Sequence, residues 1–217
     1  MGRNTRIAML QFDHVTKNYD RQQVLEISKL ELGRNIYWLQ GNNGSGKTTF
    51  LSMLAGRIPF TGDILLDGIN LRQNPLPYRR LVNFAEAEPQ YPDFLTGTEL
   101  ISFFQEIRNA ALIQTDLLIN IFKMHRFISQ PIGTYSSGMI KKLSLMLAFI
   151  GKPALILLDE PLATLDEGSI HILPELIKAY HKEFNTCFIF SSHQPFKSYS
   201  LAIQKILISD QSLQLIT

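Results

Sequence analysis

The run Gly41-Asn42-Asn43-Gly44-Ser45-Gly46-Lys47-Thr48 constrains this chain more than any other stretch. It satisfies G-x-x-x-x-G-K-[ST] in full, follows the apolar segment NIYWLQ and opens a segment that reads as a helix from Lys47 to about Gly56. A strand, a glycine-rich turn and a helix in that order wrap successive backbone N–H groups around a phosphate. The glycines let the backbone bend. Lys47 is placed to reach the outer phosphates of a chain, the Thr48 hydroxyl to ligate Mg2+, and Thr49 to bond the innermost phosphate. An ordinary glycine turn before a helix would not require the Lys-Thr pair that closes the motif.

The remaining pattern is that of an α/β chain. Ala8 to Leu32 is β-rich: VLEISKLEL alternates cleanly and MLQFDHV in part. GDILLDG and LVNFA read as further strands. From about Thr98 to Arg126, ELISFFQEIRN and DLLINIFKMHRF space their apolar residues at three and four, which predicts a small helical lobe. Helix IKKLSLMLAFIG, strand ALILLD, helix SIHILPELIKAYHKEF, strand TCFIFSS, a short helical segment and the hairpin QKILISDQSLQLI follow. Strands that alternate with helices form a largely parallel sheet, and such sheets bind ligands at the carboxyl ends of their strands.

Composition narrows the function. The 217 residues, 45% of them hydrophobic, suffice for one large domain or a domain with a small lobe. A formal net charge of only +2, without a Lys/Arg run, argues against a nucleic-acid surface. The single cysteine, Cys187, lies in the apolar run CFIFSS; a buried thiol is expected there, and a reducing compartment fits a chain that cannot form an internal disulfide. No apolar stretch approaches the ~20 residues of a membrane span. The N-terminus lacks a secretory apolar region, and Arg6 stands where a myristoylation signal wants a hydroxyl. A soluble chain is expected, with any membrane role supplied by a partner.

Two more strand ends carry chemistry. Asp159 and Glu160 close ALILLDEP. On a regular strand they would point to opposite sides and take different roles. Asp159 suits Mg2+, usually through water, and Glu160 can orient or deprotonate a water aimed at a terminal phosphate. His193 ends CFIFSSH, where it can donate to that phosphate and sense its presence. His14, His125, His171 and His181 have no such context and read as surface or packing residues. The string Tyr135-Ser136-Ser137-Gly138-Met139 reads as a helix start, with hydroxyl caps, exposed N–H groups and partial positive charge. The chain therefore has two anion-seeking helix ends, and one phosphate chain needs only one.

Together these residues resemble the nucleotide-binding subunit of ABC transporters, in the compact form of bacterial exporters. GNNGSGKTT is similar to the Walker A motif, LILLDE to Walker B and its catalytic glutamate, YSSGM to the signature Leu-Ser-Gly-Gly-Gln, LATLD to the D-loop, and Ser192-His193 to the switch histidine. Order and approximate spacing match along nearly the whole chain, with the signature about 90 residues after the phosphate loop. The resemblance implies a P-loop NTPase core with a mainly parallel sheet, an antiparallel β subdomain and an α-helical subdomain. The β subdomain and core would occupy about 1–92 and 151–217, and the helical subdomain about 93–150.

It also implies a head-to-tail pair of subunits, alike or different, with each ATP held between the Walker A loop of one and the signature of the other. Ser136, Ser137 and Gly138 would then serve the partner's γ-phosphate, and Asp166 the dimer interface. Tyr19 resembles the aromatic residue that stacks on adenine. Ser137 and Met139 replace the family's first signature glycine and its glutamine. The family's loop glutamine, which meets Mg2+ and water, aligns with Ala87; Glu86, Glu88 and Gln90 are all close by. Gln194-Pro195 stands where acidic residues often follow the switch histidine.

The implied function is ATP binding and hydrolysis that drive a separate permease from the cytoplasmic face of the membrane. The competing readings are a non-transport ABC ATPase, which usually carries coiled-coil insertions or a second ATPase unit, and a nucleotide-binding scaffold without turnover. Intact Lys47, Asp159, Glu160 and His193 argue against the scaffold.

Overall fold

A computed structural model describes residues 9–20, 22–193 and 201–216. Strands β1 (Leu10–Tyr19), β2 (Gln22–Leu32), β4 (Thr61–Leu66) and β5 (Ile69–Asn70) form an antiparallel sheet in the order β2-β1-β4-β5. A second sheet has the order β10-β9-β3-β8-β7-β6. It comprises β3 (Ile36–Gln40), β6 (Val82–Ala85), β7 (Leu155–Leu158), β8 (Cys187–Ser191), β9 (Ile203–Ser209) and β10 (Ser212–Ile216). All its pairings are parallel except the closing β9–β10 hairpin.

The central strands are apolar on both faces, and this decides the layering. Ile156, Leu158, Phe188 and Phe190 enter one core with helices α5 (Ser137–Phe149) and α6 (Glu167–Phe184). Leu155, Leu157, Cys187 and Ile189 enter a second core with α1 (Lys47–Leu54) and the antiparallel sheet. Two-sided burial is what a parallel strand with continuous apolar sequence requires. Each Leu or Phe so buried contributes about 1.5–3 kcal/mol. Cys187 is fully buried, and desolvation pushes its thiol up to about 12, which makes it a packing residue.

Two elements differ from the sequence pattern. Helix α2 (Pro75–Leu81) lies in a segment with no helical periodicity; Pro75 takes its first turn, where no N–H is needed, and buried Tyr78 anchors it. The helix expected to run through Arg126 stops as α4 (Leu112–Ile121). Lys123 turns left-handed (φ 56), a turn that accompanies the burial of both Phe122 and Met124. The short helix expected after TCFIFSS, and the Gln194-Pro195 pair, lie outside the described residues.

Helices α3 (Gly97–Arg108) and α4 are held to the rest by side chains that reach backbone groups. Arg108, at the end of α3, donates to the carbonyls of Arg79, Arg80 and Val82 (2.8–2.9 Å). Gln114 of α4 exchanges two 2.8 Å bonds with Gly151 and donates to the Tyr180 hydroxyl (2.9 Å). Removing a partner from such half-buried groups leaves donors and acceptors unmet. Gln114→Ala is expected to cost about 2 kcal/mol, read as a lower urea midpoint with unchanged slope.

Candidate functional site

The parallel register brings the functional strand ends to one level. Leu39 of β3 pairs with Ser191 of β8, and Phe190 pairs with Leu158 of β7. Just beyond these pairs lie the glycine loop, Asp159-Glu160 and His193. They enclose a cleft of about 480 Å³ lined by Tyr19, Val24, Asn43, Gly44, Gly46, Lys47, Thr48, Thr49, Asp159, Glu160 and His193. Gly46 is left-handed (φ 101) at the start of α1, and a Cβ there would press on Val24 at 3.2 Å. Lys47 folds over the loop and donates to the carbonyls of Gly41 (2.9 Å) and Asn42 (3.1 Å). Gly41, Asn42 and Ser45, read from sequence as ligand contacts, are not among the lining residues. The Ser45 N–H closes the loop on the Asn42 carbonyl (3.1 Å), and its hydroxyl is buried without a hydrogen-bond partner.

The acid pair departs from strand geometry. β7 ends at Leu158, and Glu160 is left-handed (φ 44), so alternation no longer separates the two side chains and both line the cleft. Ser191 fixes them together: its hydroxyl donates to Asp159 Oδ1 (2.6 Å) and accepts from the Glu160 N–H (2.9 Å). His193 holds the Glu160 carboxylate through its backbone N–H (3.3 Å), and its Nε2 lies 3.4 Å from Glu160 Oε1. Asp159 Oδ2 and Glu160 Oε1 are buried without a hydrogen-bond partner.

Orphaned carboxylate oxygens in a cleft call for a cation or a water. Among the described residues no cluster of three or more His, Cys, Asp or Glu could hold a metal. A cation here would rest on one carboxylate, the Thr48 hydroxyl and phosphate oxygens, a donor set that fits Mg2+. The loop that aligns with the family glutamine contributes nothing to the cleft: Ala87, Glu86, Glu88 and Gln90 are not among its lining residues, and Glu86 is engaged in an ion pair with Arg57.

Tyr19, half exposed at 49%, sits at the cleft's rim at the end of β1, with the Lys17 ammonium 4.4 Å from its ring centroid. The four other histidines stay clear of the cleft. His14 pairs with Asp13, His125 with Asn120 and His181 with the Thr186 carbonyl, while His171 is exposed.

The second helix end faces elsewhere. Ser136 caps α5 by accepting from the Met139 N–H (3.3 Å), and Ser136 and Ser137 are exposed and outside the cleft. Gly138 lies against the turn before α6, where a Cβ would meet the Thr164 carbonyl at 2.8 Å. Asp166 caps α6 through the Ser169 N–H (2.9 Å) and forms an ion pair with Lys142 of α5. The Lys142 ammonium, then the Ser169 N–H, hold its carboxyl down at about 2.

Two residues were missed in the sequence reading. Ser191 was hidden as one hydroxyl inside a buried strand. Lys141 is 1% exposed, and its ammonium donates to the carbonyls of Glu86 (2.7 Å), Ala87 (3.2 Å) and Asp159 (2.9 Å). Burial lowers its pKa to about 8 against the opposing pull of Asp159, Glu160 and Glu86. Its signal was a charge on the same helix face as Leu145 and Ala148.

The model of the family described as ABC transporter matches residues 28–163. The chain belongs to the ABC transporter family. It is 33% identical over 168 residues to ATP-binding cassette sub-family A member 7 of Rattus norvegicus, covering 73% of this chain and 8% of that protein. It is 30% identical over 190 residues to the ABC transporter ATP-binding protein YtrB of Bacillus subtilis, covering 86% of this chain and 64% of YtrB. The spermidine/putrescine import ATP-binding protein PotA of Desulfitobacterium hafniense is 28% identical over 207 residues, covering 93% of this chain and 59% of PotA. The chain thus spans a small part of the rat protein and about three fifths of the bacterial ones.

Among solved structures, an ATP-binding subunit of an ABC transporter superposes with a TM-score of 0.86 at 23% identity, covering 96% of this chain and 90% of that one. A dimeric ATP-binding cassette in a post-hydrolysis state with ADP and Pi superposes at 0.81 and 18% identity, covering 96% and 99%. These likenesses establish the fold as that of the ABC ATPase P-loop domains.

The geometry makes Ser191 a sharp test of the acid pair. Ser191→Ala frees Asp159 Oδ1 and the Glu160 N–H while leaving the phosphate loop intact. Nucleotide affinity measured by calorimetry should change little, while any turnover that uses the acid pair should fall about tenfold or more, because a misplaced reacting group costs rate before it costs binding.

Proposed function

We propose that this chain is the ATP-binding subunit of an ABC transporter, which binds and hydrolyses ATP at a head-to-tail dimer interface and drives a separate permease. One observation carries the reading. The chain has a cleft with orphaned carboxylate oxygens and a second, exposed helix start that does not reach it. A partner in reversed orientation brings that helix start to the other chain's nucleotide.

In this assignment Lys47 and the N–H groups of the glycine loop hold the β- and γ-phosphates, and Thr49 the α-phosphate. Tyr19 stacks on the adenine. Mg2+ is held by Thr48 and, usually through water, by Asp159, and supplies charge neutralisation on the phosphates. Glu160 orients a water toward the γ-phosphate and takes its proton, and His193 holds Glu160 and donates to the γ-phosphate. Ser136, Ser137 and Gly138 complete the partner's site. Asp166 fixes the turn on which Gly138 rests and so shapes that face. The division into a core of about residues 1–92 and 151–217 and a helical subdomain of about 93–150 goes with this reading. Arg108 and Gln114 would then join the helical subdomain to the core.

Among the described residues no helix is long and apolar enough to cross a membrane. A permease on another polypeptide, with this chain on its cytoplasmic face, fits that observation. The names of YtrB and PotA support the same role; the cargo of this chain would be set by the permease that contacts it.

The test combines two variants. Glu160→Gln should reduce phosphate release by about 10²–10⁴ while retaining ATP, and ATP should drive it into a dimer seen by light scattering. Adding Ser136→Arg should abolish that dimer but leave ATP binding to the single chain intact. A dimer that forms normally despite Ser136→Arg would remove the trans role. Lys47→Ala should lose most ATP affinity in a folded chain, because it removes the cation from a site of several phosphate oxygens.

A further inference from the structure

Lys141 stands where the sheet runs out. The β6–β7 ladder ends at the pair Ala85–Leu158, and one further bond joins the Asp159 N–H to the Ala85 carbonyl (2.8 Å). Beyond it the carbonyls of Glu86, Ala87 and Asp159 leave the ladder, and the Lys141 ammonium spends its three donors on these three oxygens. A buried ammonium carries a desolvation penalty of several kcal/mol, offset here by three carbonyls that accept its hydrogen bonds and by the nearby charges of Asp159, Glu160 and Glu86. A leucine would fill this part of α5 without that penalty. The charge is therefore explained by what it holds rather than by packing.

What it holds is unusual in its reach. Five residues before Lys141, the same helix begins at Ser136, the end that in the head-to-tail reading above grips the partner's γ-phosphate. Through Lys141 the helix also grips the backbone of Asp159, immediately before Glu160, and the loop that departs from β6. One rigid helix thus touches both sites of a pair: the partner's nucleotide at its tip and its own chain's acid pair one turn and a half further on.

We propose that Lys141 is a positioning residue through which the helix that completes one ATP site sets the geometry of the water-orienting acid pair in the other. The proposal rests on the head-to-tail reading, and it makes the two sites interdependent. A shift of α5 on engaging the partner's phosphates moves the Asp159 carbonyl and, with it, the Glu160 turn. Neutral substitution at Lys141 would leave each site able to bind ATP but unable to inform the other.

The experiment compares Lys141→Met, which keeps the stem and loses all three donors, with Lys141→Arg, which restores a cation and donors. Each is made in the natural chain and in the Glu160→Gln background. Phosphate release against ATP concentration gives kcat and the Hill coefficient. Calorimetry gives ATP affinity, and light scattering gives the ATP-driven dimer. Lys141→Met should bind ATP within about threefold of the natural chain and still dimerise in the Glu160→Gln background. Its kcat should fall about tenfold to a hundredfold, and its Hill coefficient should drop to about one, the value of independent sites. Lys141→Arg should recover most of both.

If Lys141→Met does not fold, Lys141→Gln, which keeps amide donors without the charge, is judged by the same criteria. Unchanged kcat and Hill coefficient in a folded neutral variant overturn the proposal. So does an arginine variant as slow as the methionine one, or a loss of ATP affinity parallel to the loss of kcat; both would mark a packing role. Failure of the Glu160→Gln chain itself to dimerise with ATP overturns the head-to-tail reading and the proposal together, whereas its dimerisation with a fully active Lys141→Met overturns the proposal alone.

Discussion

The parallel pairing of β3, β8 and β7 is the constraint on which the rest depends. Because β3–β8 and β8–β7 are in register, the chain leaves all three strands at the same edge, and the glycine loop, Asp159, Glu160 and His193 all follow directly from that edge. Had any of these strands been antiparallel, the acid pair or His193 would have emerged on the opposite side of a sheet that is buried on both faces. The apolar continuity of LILL and CFIFS is thus what makes the chemistry possible: strands buried on both faces must be covered by crossover connections, and those connections force the parallel direction.

Much of this was legible. The glycine loop declares itself because residue type, spacing and flanking elements agree, and the acid pair because it closes an apolar run in a chain that also carries a phosphate loop. Most of the order of strands and helices followed from apolar runs, periodicity and turn residues. What failed to show were features decided by a single residue's environment. Helix α2 has too few apolar residues to display a period and is set by Pro75 and Tyr78. The end of α4 is set by a left-handed lysine, a conformation that sequence does not announce for this residue type. Strand alternation would have parted Asp159 from Glu160, and only the backbone turn at Glu160 reunites them. Nothing in the sequence separates Lys141 from Lys142, yet Lys142 pairs with Asp166 while Lys141 is buried.

Among the described residues, the departures from the family pattern fall outside the lining of the cleft. Ser137 is exposed, Met139 lends only its N–H to the cap, and the segment around Ala87 offers backbone carbonyls to Lys141 instead of a side chain to the cleft. The Glu86–Arg57 ion pair, with Arg57 also near the Phe84 ring, ties that segment to the end of α1. A loop that usually supplies an amide is here anchored from two sides by charge.

Trp38 is the only tryptophan in the sequence. Its indole N–H donates to the carbonyl of Ser192 (3.1 Å), the residue before His193, and the Lys205 ammonium lies 6.0 Å from its ring. Indole emission responds to such a bond and to such a charge. The unmodified chain therefore contains one optical probe, wired to the strand end that carries the histidine and free of interference from any second emitter of its kind. Rearrangements of that strand end can be followed as colour and intensity in real time, with no label attached.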